Sequence, residues 1–313
     1  MIFEFIFERA PFASAHASTI AETPAGLVAA WFGGPGEGDP EVAIWLARRP
    51  GGAWSAPLQV ADGAHRGRRH PCWNPVLHQT RAGPLLLFYR VGPSPRRWRS
   101  FLARSTDHGL TWSPPERLPR GFLGPIKNKP LELEDGALLC PSSTEGLAWR
   151  AHLERTGDQG ATWQRRGTLN ARSRFGAIQP CLLLWPDGRL QALCRTRQRV
   201  IAEAWSTDGG ASWSRMRATA LPNPDSGIDA VMLQDGRALL VYNHASGGRT
   251  PLNLALSGDG RSWRAAGVLE EGQGEYSYPA VIQGSDGRVH VTYTWNRRHI
   301  RHVALQPCEL WEP

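Results

Sequence analysis

The chain repeats a short motif at nearly constant intervals, and this repeat limits the fold more than any other feature. Four good copies read "STDHGLTW", "TGDQGATW", "STDGGASW" and "SGDGRSW", and a degraded copy, "ARRPGGAW", precedes them. The copies end at Trp54, Trp112, Trp163, Trp213 and Trp263, which are 58, 51, 50 and 50 residues apart. A period of about 50 residues indicates an array of similar units, such as a propeller.

A second repeat runs in phase with the first. A turn glycine followed by an apolar, strand-like run occurs six times, at Gly26, Gly83, Gly136, Gly188, Gly236 and Gly287. Asp-Gly between apolar runs predicts a β-hairpin, and helical periodicity is absent from the sequence. We therefore predict an all-β fold, a six-bladed β-propeller forming a single domain over residues 1–313. The N-terminal strand is expected to complete the last blade, which closes the ring.

The composition argues against several classes of protein. No window approaches the ~18 apolar residues of a membrane span, and the N-terminus lacks the basic segment of a signal peptide. The net charge is +8, but basic residues are spread along the chain, so nucleic-acid binding is not expected. Four of the five cysteines lie in apolar runs, which predicts buried, reduced thiols. We expect a cytoplasmic protein without metal or cofactor, as a monomer or small homo-oligomer.

The innermost strand of each blade lines the axis of a propeller, and here each such strand lies just before its turn glycine. The six segments share a pattern, a polar residue followed by proline or alanine and then by apolar residues. The polar residues are His16, Asn74, Lys129, Gln179, Asp229 and Tyr278. We expect them to form a ring at one mouth of the axis, as a ligand site or as a structural ring of polar groups.

Two further features bear on this ring. Lys127 and Lys129 are the only lysines among 36 basic residues, and because lysine and arginine are not equivalent in binding sites, the pair is a candidate for function or a chance cluster. In the segment "GEYSYP", Tyr276 and Tyr278 are two residues apart, so on a regular strand both rings would point the same way. The segment "NRRHIRH", with His299, has the pattern of an exposed basic strand.

The motif S-x-D-x-G-x-T-W resembles the Asp-box, or BNR repeat, of sialidases. The chain is most similar to the uncharacterised branch of predicted sialidases, through runs such as "GPIKNKP", "LPNPDSGIDAV" and "GEYSYPAVI". The resemblance implies a propeller whose site holds three arginines for the substrate carboxylate, a tyrosine nucleophile paired with glutamate, and an aspartate acid/base. Since the Asp-box itself is structural, it predicts the fold and leaves the function to the site residues.

Carried over residue by residue, the resemblance is partial. Arg195 and Arg249 match two of the arginines, and Tyr276 or Tyr278 matches the nucleophile. His16 stands where the first arginine is expected, and Gln179 stands in place of the glutamate. The acid/base has no clear match, and its region holds Glu37, Asp39 and Glu41. The candidate catalytic residues are therefore Tyr276, Tyr278, His16, Glu37, Asp39 and Asp229, and the candidate substrate-binding residues are Lys127, Lys129, Arg195, Arg249, Gln179, Asn74, Asn243 and Glu275.

Arginines, lysines and a histidine around one mouth suit an anionic sugar, because arginine binds carboxylates through two hydrogen bonds. The first hypothesis is an exo-acting glycoside hydrolase on an acidic or terminal sugar of a glycan. A polysaccharide lyase or a neutral-sugar hydrolase, for example at rhamnose–uronate linkages, is the second. A non-catalytic glycan-binding propeller is the third.

Overall fold

The structure, a computed structural model, describes residues 1–65, 67–171 and 174–311. In chain order the first strands are β1 (Ile2–Phe5), β2 (Ser14–Thr23), β3 (Gly26–Gly34), β4 (Ala43–Arg49), β5 (Leu58–Ala61), β6 (Ala64–His65), β7 (Arg68–Arg69), β8 (Cys72–Gln79), β9 (Leu85–Val91), β10 (Arg99–Ser105), β11 (Glu116–Arg117), β12 (Leu131–Glu132) and β13 (Leu138–Glu145). The others are β14 (Trp149–Thr156), β15 (Gln164–Thr168), β16 (Ala177–Leu184), β17 (Leu190–Thr196), β18 (Val200–Ser206), β19 (Arg217–Pro222), β20 (Asp229–Met232), β21 (Ala238–Tyr242), β22 (Leu252–Ser257), β23 (Arg264–Glu270), β24 (Tyr276–Gln283), β25 (Val289–Trp295) and β26 (His299–Leu305). A short 3-10 helix (Pro307–Glu309) follows.

Six four-stranded antiparallel sheets form the blades of a ring, so the predicted all-β, six-bladed propeller is confirmed. Blades 1 to 5 are β2–β5, β8–β11, β12–β15, β16–β19 and β20–β23, in each case in chain order from the axis outward. Blade 6 consists of β24, β25, β26 and β1. No helix of the described chain has the length and apolarity required to cross a membrane.

The first strand closes the ring as predicted. Residue Ile2 of β1 pairs with Ala304 of β26, and Phe5 pairs with Arg301. The chain then turns inward, and Phe7 is buried with its ring centroid 5.0 Å from that of Trp31 in blade 1. The N-terminus therefore joins blade 6 to blade 1 through both backbone pairing and a hydrophobic contact.

The Asp-boxes form the turns between the third and fourth strands. In blade 4, Asp208 accepts hydrogen bonds from the Ser206 hydroxyl at 2.7 Å and from the Ser212 backbone N–H at 2.9 Å. The Trp213 indole donates to the Gly210 carbonyl at 3.1 Å. Similar bonds surround Asp107, Asp158 and Asp259. The repeated motif is thus a hydrogen-bonded turn that fixes the outer edge of blades 2 to 5.

Packing between the blades provides the core. Four of the cysteines, Cys72, Cys140, Cys181 and Cys194, are buried among apolar side chains, as the sequence predicted, and Cys308 is exposed. Burial raises the pKa of the Cys181 thiol to about 12, so this group stays protonated near neutral pH.

Replacing Phe7 by alanine tests the closure of the ring. Phe7→Ala removes a buried ring and is expected to lower the free energy of unfolding by about 3–5 kcal/mol. Urea denaturation followed by circular dichroism measures this difference. Phe3→Ala, at a side chain that is 39% exposed on the same N-terminal segment, is the matched control and should cost less than about 1 kcal/mol. Equal losses in both variants would contradict a role for Phe7 in closure.

The Asp-box turns predict a dependence of stability on acid. Hydrogen bonds from Ser212 and Ser206 lower the pKa of Asp208 to about 2. Because this folded-state value lies below the value of about 3.9 in an unfolded chain, the carboxylate stabilises the fold above about pH 4, and its contribution is lost as the pH falls toward 2. Asp208→Asn should therefore lower Tm at pH 7, and the difference from wild type should shrink between pH 4 and pH 2. Thermal melts across this range, with Glu271→Gln at an exposed acid as control, check the result; a difference that does not vary with pH would refute it.

Candidate functional site

The inner strands of four blades share a bulge. In β2, β8, β16 and β24, two residues oppose a single residue of the second strand at the same place. The first residue of each bulge has a left-handed backbone, with φ of 56° at Ala17, 35° at Asn74, 52° at Gln179 and 53° at Tyr278. A bulge interrupts the regular alternation of side chains along a strand and re-aims the residue at its centre.

This bulge separates the two tyrosines of "GEYSYP". Tyr276 packs in the hydrophobic core between blades 5 and 6, where its hydroxyl donates to the Gln273 carbonyl at 3.3 Å. Tyr278 lies at the axis instead, packed against blade 1. The expectation that both rings point the same way is wrong, because it assumed a regular strand through Tyr278.

Tyr278 is surrounded by basic side chains. The Arg195 guanidinium donates a hydrogen bond to the Tyr278 hydroxyl oxygen at 2.9 Å. The Arg249 guanidinium carbon lies 5.6 Å from the centre of the same ring. The His16 ring, which belongs to the neighbouring blade 1, packs against the Tyr278 ring with 4.3 Å between the ring centroids. Three residues that the sequence singled out separately therefore meet around one phenol.

His16 is neutral in this environment. Burial is the main cause, and the positive charges of Arg297, Arg249 and Arg195 add to it, so the pKa of His16 lies well below its usual value. Its Nδ1 atom is buried and has no hydrogen-bond partner within the described chain. The histidine can therefore accept or donate a hydrogen bond as a neutral ring, but it does not add charge to the site.

Arg297 is a third arginine at the mouth, and it comes from the turn between β25 and β26. Glu275 bridges the arginines, with its Oε1 2.8 Å from both Arg249 Nη1 and Arg297 Nε. Arg297 also forms an ion pair with Glu37 of the β3–β4 loop. Burial opposes ionisation of Glu275, but the charges of Arg297 and Arg249 outweigh it and hold the pKa of this carboxyl below its usual range.

Two carboxyl groups on the other side of Tyr278 behave differently. Burial raises the pKa of Asp225, although the nearby arginines partly offset this, and its Oδ1 lies 3.3 Å from Arg195 Nε. Burial also raises the pKa of Glu145, which accepts a hydrogen bond from the Gln179 amide at 2.8 Å. Gln179 Oε1 is itself buried without a partner in the described residues. The site thus has one carboxyl group with a lowered pKa, Glu275, and two with raised pKa values, Asp225 and Glu145.

The two lysines connect blades across the axis. Lys127 donates to the carbonyls of Ile228 and Pro279 and to Asn128 Oδ1, which uses its three N–H groups. Burial lowers its pKa to about 8. Lys129 pairs with Asp229 at 2.8 Å, and Asp229 also accepts the Val281 N–H at 2.9 Å. These lysines and this aspartate therefore hold the inner strands together.

The predicted ring of six equivalent polar residues needs correction. Asn74, Gln179 and Tyr278 occupy equivalent bulge positions, whereas in blade 1 this position is Ala17 and His16 precedes it. Lys129 and Asp229 do not lie in such a bulge. Gly227 lies beside Tyr278 in blade 5, where an added Cβ would be 3.3 Å from the Tyr278 ring.

The remaining candidates have structural contacts. The Asn243 amide donates to the carbonyls of Pro251 and Tyr276 at 2.9 Å, which anchors the loop that carries Arg249. Asp39 accepts the Glu41 backbone N–H at 2.8 Å within its own loop. Asn74 is buried, and its carbonyl accepts a hydrogen bond from Arg90 at 3.0 Å.

Sequence reasoning missed Arg297, Asp225 and Glu145. The segment "NRRHIRH" is not an exposed basic strand, since β26 is largely buried and Arg297 lies at the mouth. Arg297 and Asp225 lie in connections and Glu145 is the last residue of β13, all at the same end of the blades as the Arg249 loop. Extending the blade repeat to the loops between second and third strands would have pointed to Arg297 and Glu145.

The comparisons with known proteins agree with this architecture. The sequence profile of the BNR repeat-like domain matches residues 25–291. A protein of unknown function from Dyadobacter fermentans has a similar structure, with TM-score 0.82, 19% identity and 97% of each chain covered. The NanB sialidase from Streptococcus pneumoniae has TM-score 0.79 at 12% identity, over 99% of this chain and 71% of that one. A Trypanosoma rangeli sialidase in complex with sialic acid has TM-score 0.72 at 16% identity, over 94% and 54%.

At these identities the similar structures establish the fold alone. No functionally curated protein has significant sequence similarity to the chain. The profile match covers most of the chain and includes the turns described above. The chain therefore belongs to the BNR repeat-like domain family, and it shares a six-bladed propeller fold with sialidases.

Proposed function

We propose that the protein is an exo-acting glycoside hydrolase that removes an acidic sugar from the end of a glycan. The observation that carries this proposal is the hydrogen bond from Arg195 to the Tyr278 hydroxyl, beside Arg249, which shares Glu275 with Arg297. Guanidinium groups beside a phenol stabilise negative charge on its oxygen and so favour its attack as a nucleophile. The same guanidinium groups can bind a carboxylate on the substrate. The similarity in fold to sialidases supports the same reaction class.

Substrate binding falls to the three arginines. Arg249 and Arg297 already share Glu275, which fixes their positions before a ligand arrives. A carboxylate on the sugar would accept hydrogen bonds from the remaining guanidinium N–H groups, since each guanidinium has five. His16 Nδ1 and Gln179 Oε1, both buried without partners in the described chain, are suited to sugar hydroxyls.

Tyr278 is the proposed nucleophile. In the proposed step it reacts as the phenolate: its oxygen forms a bond to the anomeric carbon while the bond from that carbon to the leaving oxygen breaks, and the leaving oxygen takes a proton from a general acid. The hydrogen bond from Arg195 stabilises negative charge on this oxygen and so favours its attack. Water then attacks the same carbon, returns a proton to the general acid, and releases the phenolate.

The leaving oxygen needs a proton, and Asp225 is the proposed donor. A general acid has to be protonated in the working range, and burial raises the pKa of Asp225 in that direction. Glu37, the candidate from the sequence, is instead held in an ion pair with Arg297. Asp225 also lies next to Arg195 and so close to the proposed nucleophile.

A non-catalytic glycan-binding propeller is the second candidate. One observation favours it: Gln179, which stands where the sialidase resemblance implies a base, is an amide that donates to Glu145 and cannot take a proton from Tyr278. Turnover separates the two functions. Wild-type protein should release fluorophore from 4-methylumbelliferyl glycosides of acidic sugars, whereas a binding protein would release none. An unsaturated product absorbing in the ultraviolet would indicate a lyase instead.

The two tyrosines form a matched pair for mutation. Tyr278→Phe removes the proposed nucleophilic oxygen and should lower kcat by at least about 10³-fold, with little change in Tm. Tyr276→Phe removes a hydroxyl that only contacts the Gln273 carbonyl, and should leave kcat within about threefold of wild type. Steady-state kinetics on the best aryl glycoside measures both. Equal activity of Tyr278→Phe and wild type would exclude the proposed mechanism.

The pH profile tests the proton donor. Because Asp225 must be protonated to act, kcat should fall as the pH rises through its raised pKa. Asp225→Asn should lose this alkaline decline together with about 10²–10⁴-fold in kcat. Glu37→Gln is the control and should keep the decline. If the decline vanishes in Glu37→Gln and persists in Asp225→Asn, the acid assignment passes to Glu37.

A further inference from the structure

A groove between blades 2 and 3 opens on the same face as the site. Its volume is about 380 Å³, within the usual range of roughly 300–1,000 Å³ for ligand pockets. The segments that line it are the β9–β10 turn, the connection from β11 to β12, and the β13–β14 turn. Apolar side chains, Trp98, Leu118 and Phe122, form part of its wall.

Five arginines line this groove. They are Arg96, Arg99, Arg117, Arg120 and Arg165, and all are exposed. Arg165 lies 3.6 Å from the buried Glu154. Within the described chain the other four have no carboxylate at ion-pair distance, unlike surface arginines such as Arg104, which pairs with Glu116 at 3.0 Å. The groove therefore carries positive charge that the protein itself leaves largely uncompensated.

The groove leads to the candidate site through one residue. Glu145 lines its inner end and accepts the hydrogen bond from Gln179, whose strand faces the axis. Burial raises the pKa of Glu145, although the charge of Arg195 and the hydrogen bond from Gln179 partly offset this. A chain that leaves the mouth near Gln179 would thus pass Glu145 and then meet the arginines.

We propose that this groove binds the sugars that follow the terminal residue in a polyanionic glycan, one with a carboxylate or sulfate on successive sugars. The proposal rests on the proposed function for the direction in which the glycan runs. Four unpaired guanidinium groups along a groove suit an anion on each of several sugars, and the half-buried Phe122 suits the apolar face of a sugar ring. A single-stranded nucleic acid fits less well, since it needs exposed aromatic platforms and Trp98 is buried.

Two sets of arginines with the same formal charge allow a controlled test. The groove variant carries alanine at Arg96, Arg99, Arg117 and Arg120. The control variant carries alanine at Arg215, Arg217, Arg261 and Arg264, which are exposed on blades 4 and 5 and, in the described chain, lack ion pairs. Both variants lose four positive charges, so a difference between them reports position and not net charge.

Binding is measured by calorimetry with three hexasaccharides: oligogalacturonate, with a carboxylate on each sugar, sulfated chondroitin, and neutral maltohexaose. Wild type should bind at least one anionic probe, more weakly at high salt because the contacts are exposed, and should not bind maltohexaose. The groove variant should bind about tenfold more weakly or worse, given four exposed charge contacts. The control variant should bind within about twofold of wild type.

Several outcomes would overturn the proposal: no binding of either anionic probe, equal losses in the two variants, or tighter binding of a dT12 oligonucleotide than of both glycans. Circular dichroism melts confirm that the variants are folded, and a second groove variant with glutamine at the same four positions repeats the test with smaller loss of packing. Tyr278→Phe separates this proposal from the proposed function, since it should bind the hexasaccharide normally. If the wild-type protein binds the hexasaccharide in the groove but shows no turnover, that result counts against the hydrolase and leaves the groove proposal standing.

Discussion

Closure of the ring is the constraint on which the rest of the structure depends. Blade 6 obtains its fourth strand from the N-terminus, where β1 pairs with β26, and Phe7 then packs on Trp31 of blade 1. This join sets blade 6 against blade 1, and the same junction places Tyr278 beside His16. The side chains of the candidate site come from blades 1, 3, 4, 5 and 6 and from the connections between them. They converge only when all six blades share one axis.

The fold could be predicted from the sequence because its signals are local and repeated. The hydrogen bonds of each Asp-box lie within a single turn, so the same short residue pattern is recognisable wherever that turn occurs. The blade count and the origin of the last strand followed from the spacing alone. Even the relic in blade 1 keeps one element of the pattern, since Ser55 still bonds to the Arg48 backbone as Ser214 does to Trp205.

The site was harder to predict because its geometry depends on register and on loops. Arg195, Arg249, Tyr278 and His16 were found through the strands or the family resemblance, and the structure brings them together. The different directions of Tyr276 and Tyr278 could not be predicted, because they depend on a bulge with a left-handed backbone at Tyr278, and a two-residue spacing does not indicate such a bulge. Asp225 lies in the β19–β20 connection, which carries no repeated motif, and Arg297 lies between the second and third strands of blade 6, outside the two repeats that define the blades. Lys129 and Asp229 were predicted as site residues because a partly buried ion pair between blades and a ligand contact require the same kinds of side chain.

The bridges between inner strands have a consequence for what can reach Tyr278. Lys127 donates hydrogen bonds to backbone carbonyls of blades 5 and 6, and Asn128 donates to the Gln179 carbonyl of blade 4. The ion pair between Lys129 and Asp229 links blades 3 and 5. In the described chain these bonds link the inner strands of several blades next to Tyr278, and so they obstruct the axis on one side of this residue. A ligand therefore reaches the Tyr278 phenol from the mouth that carries the arginines.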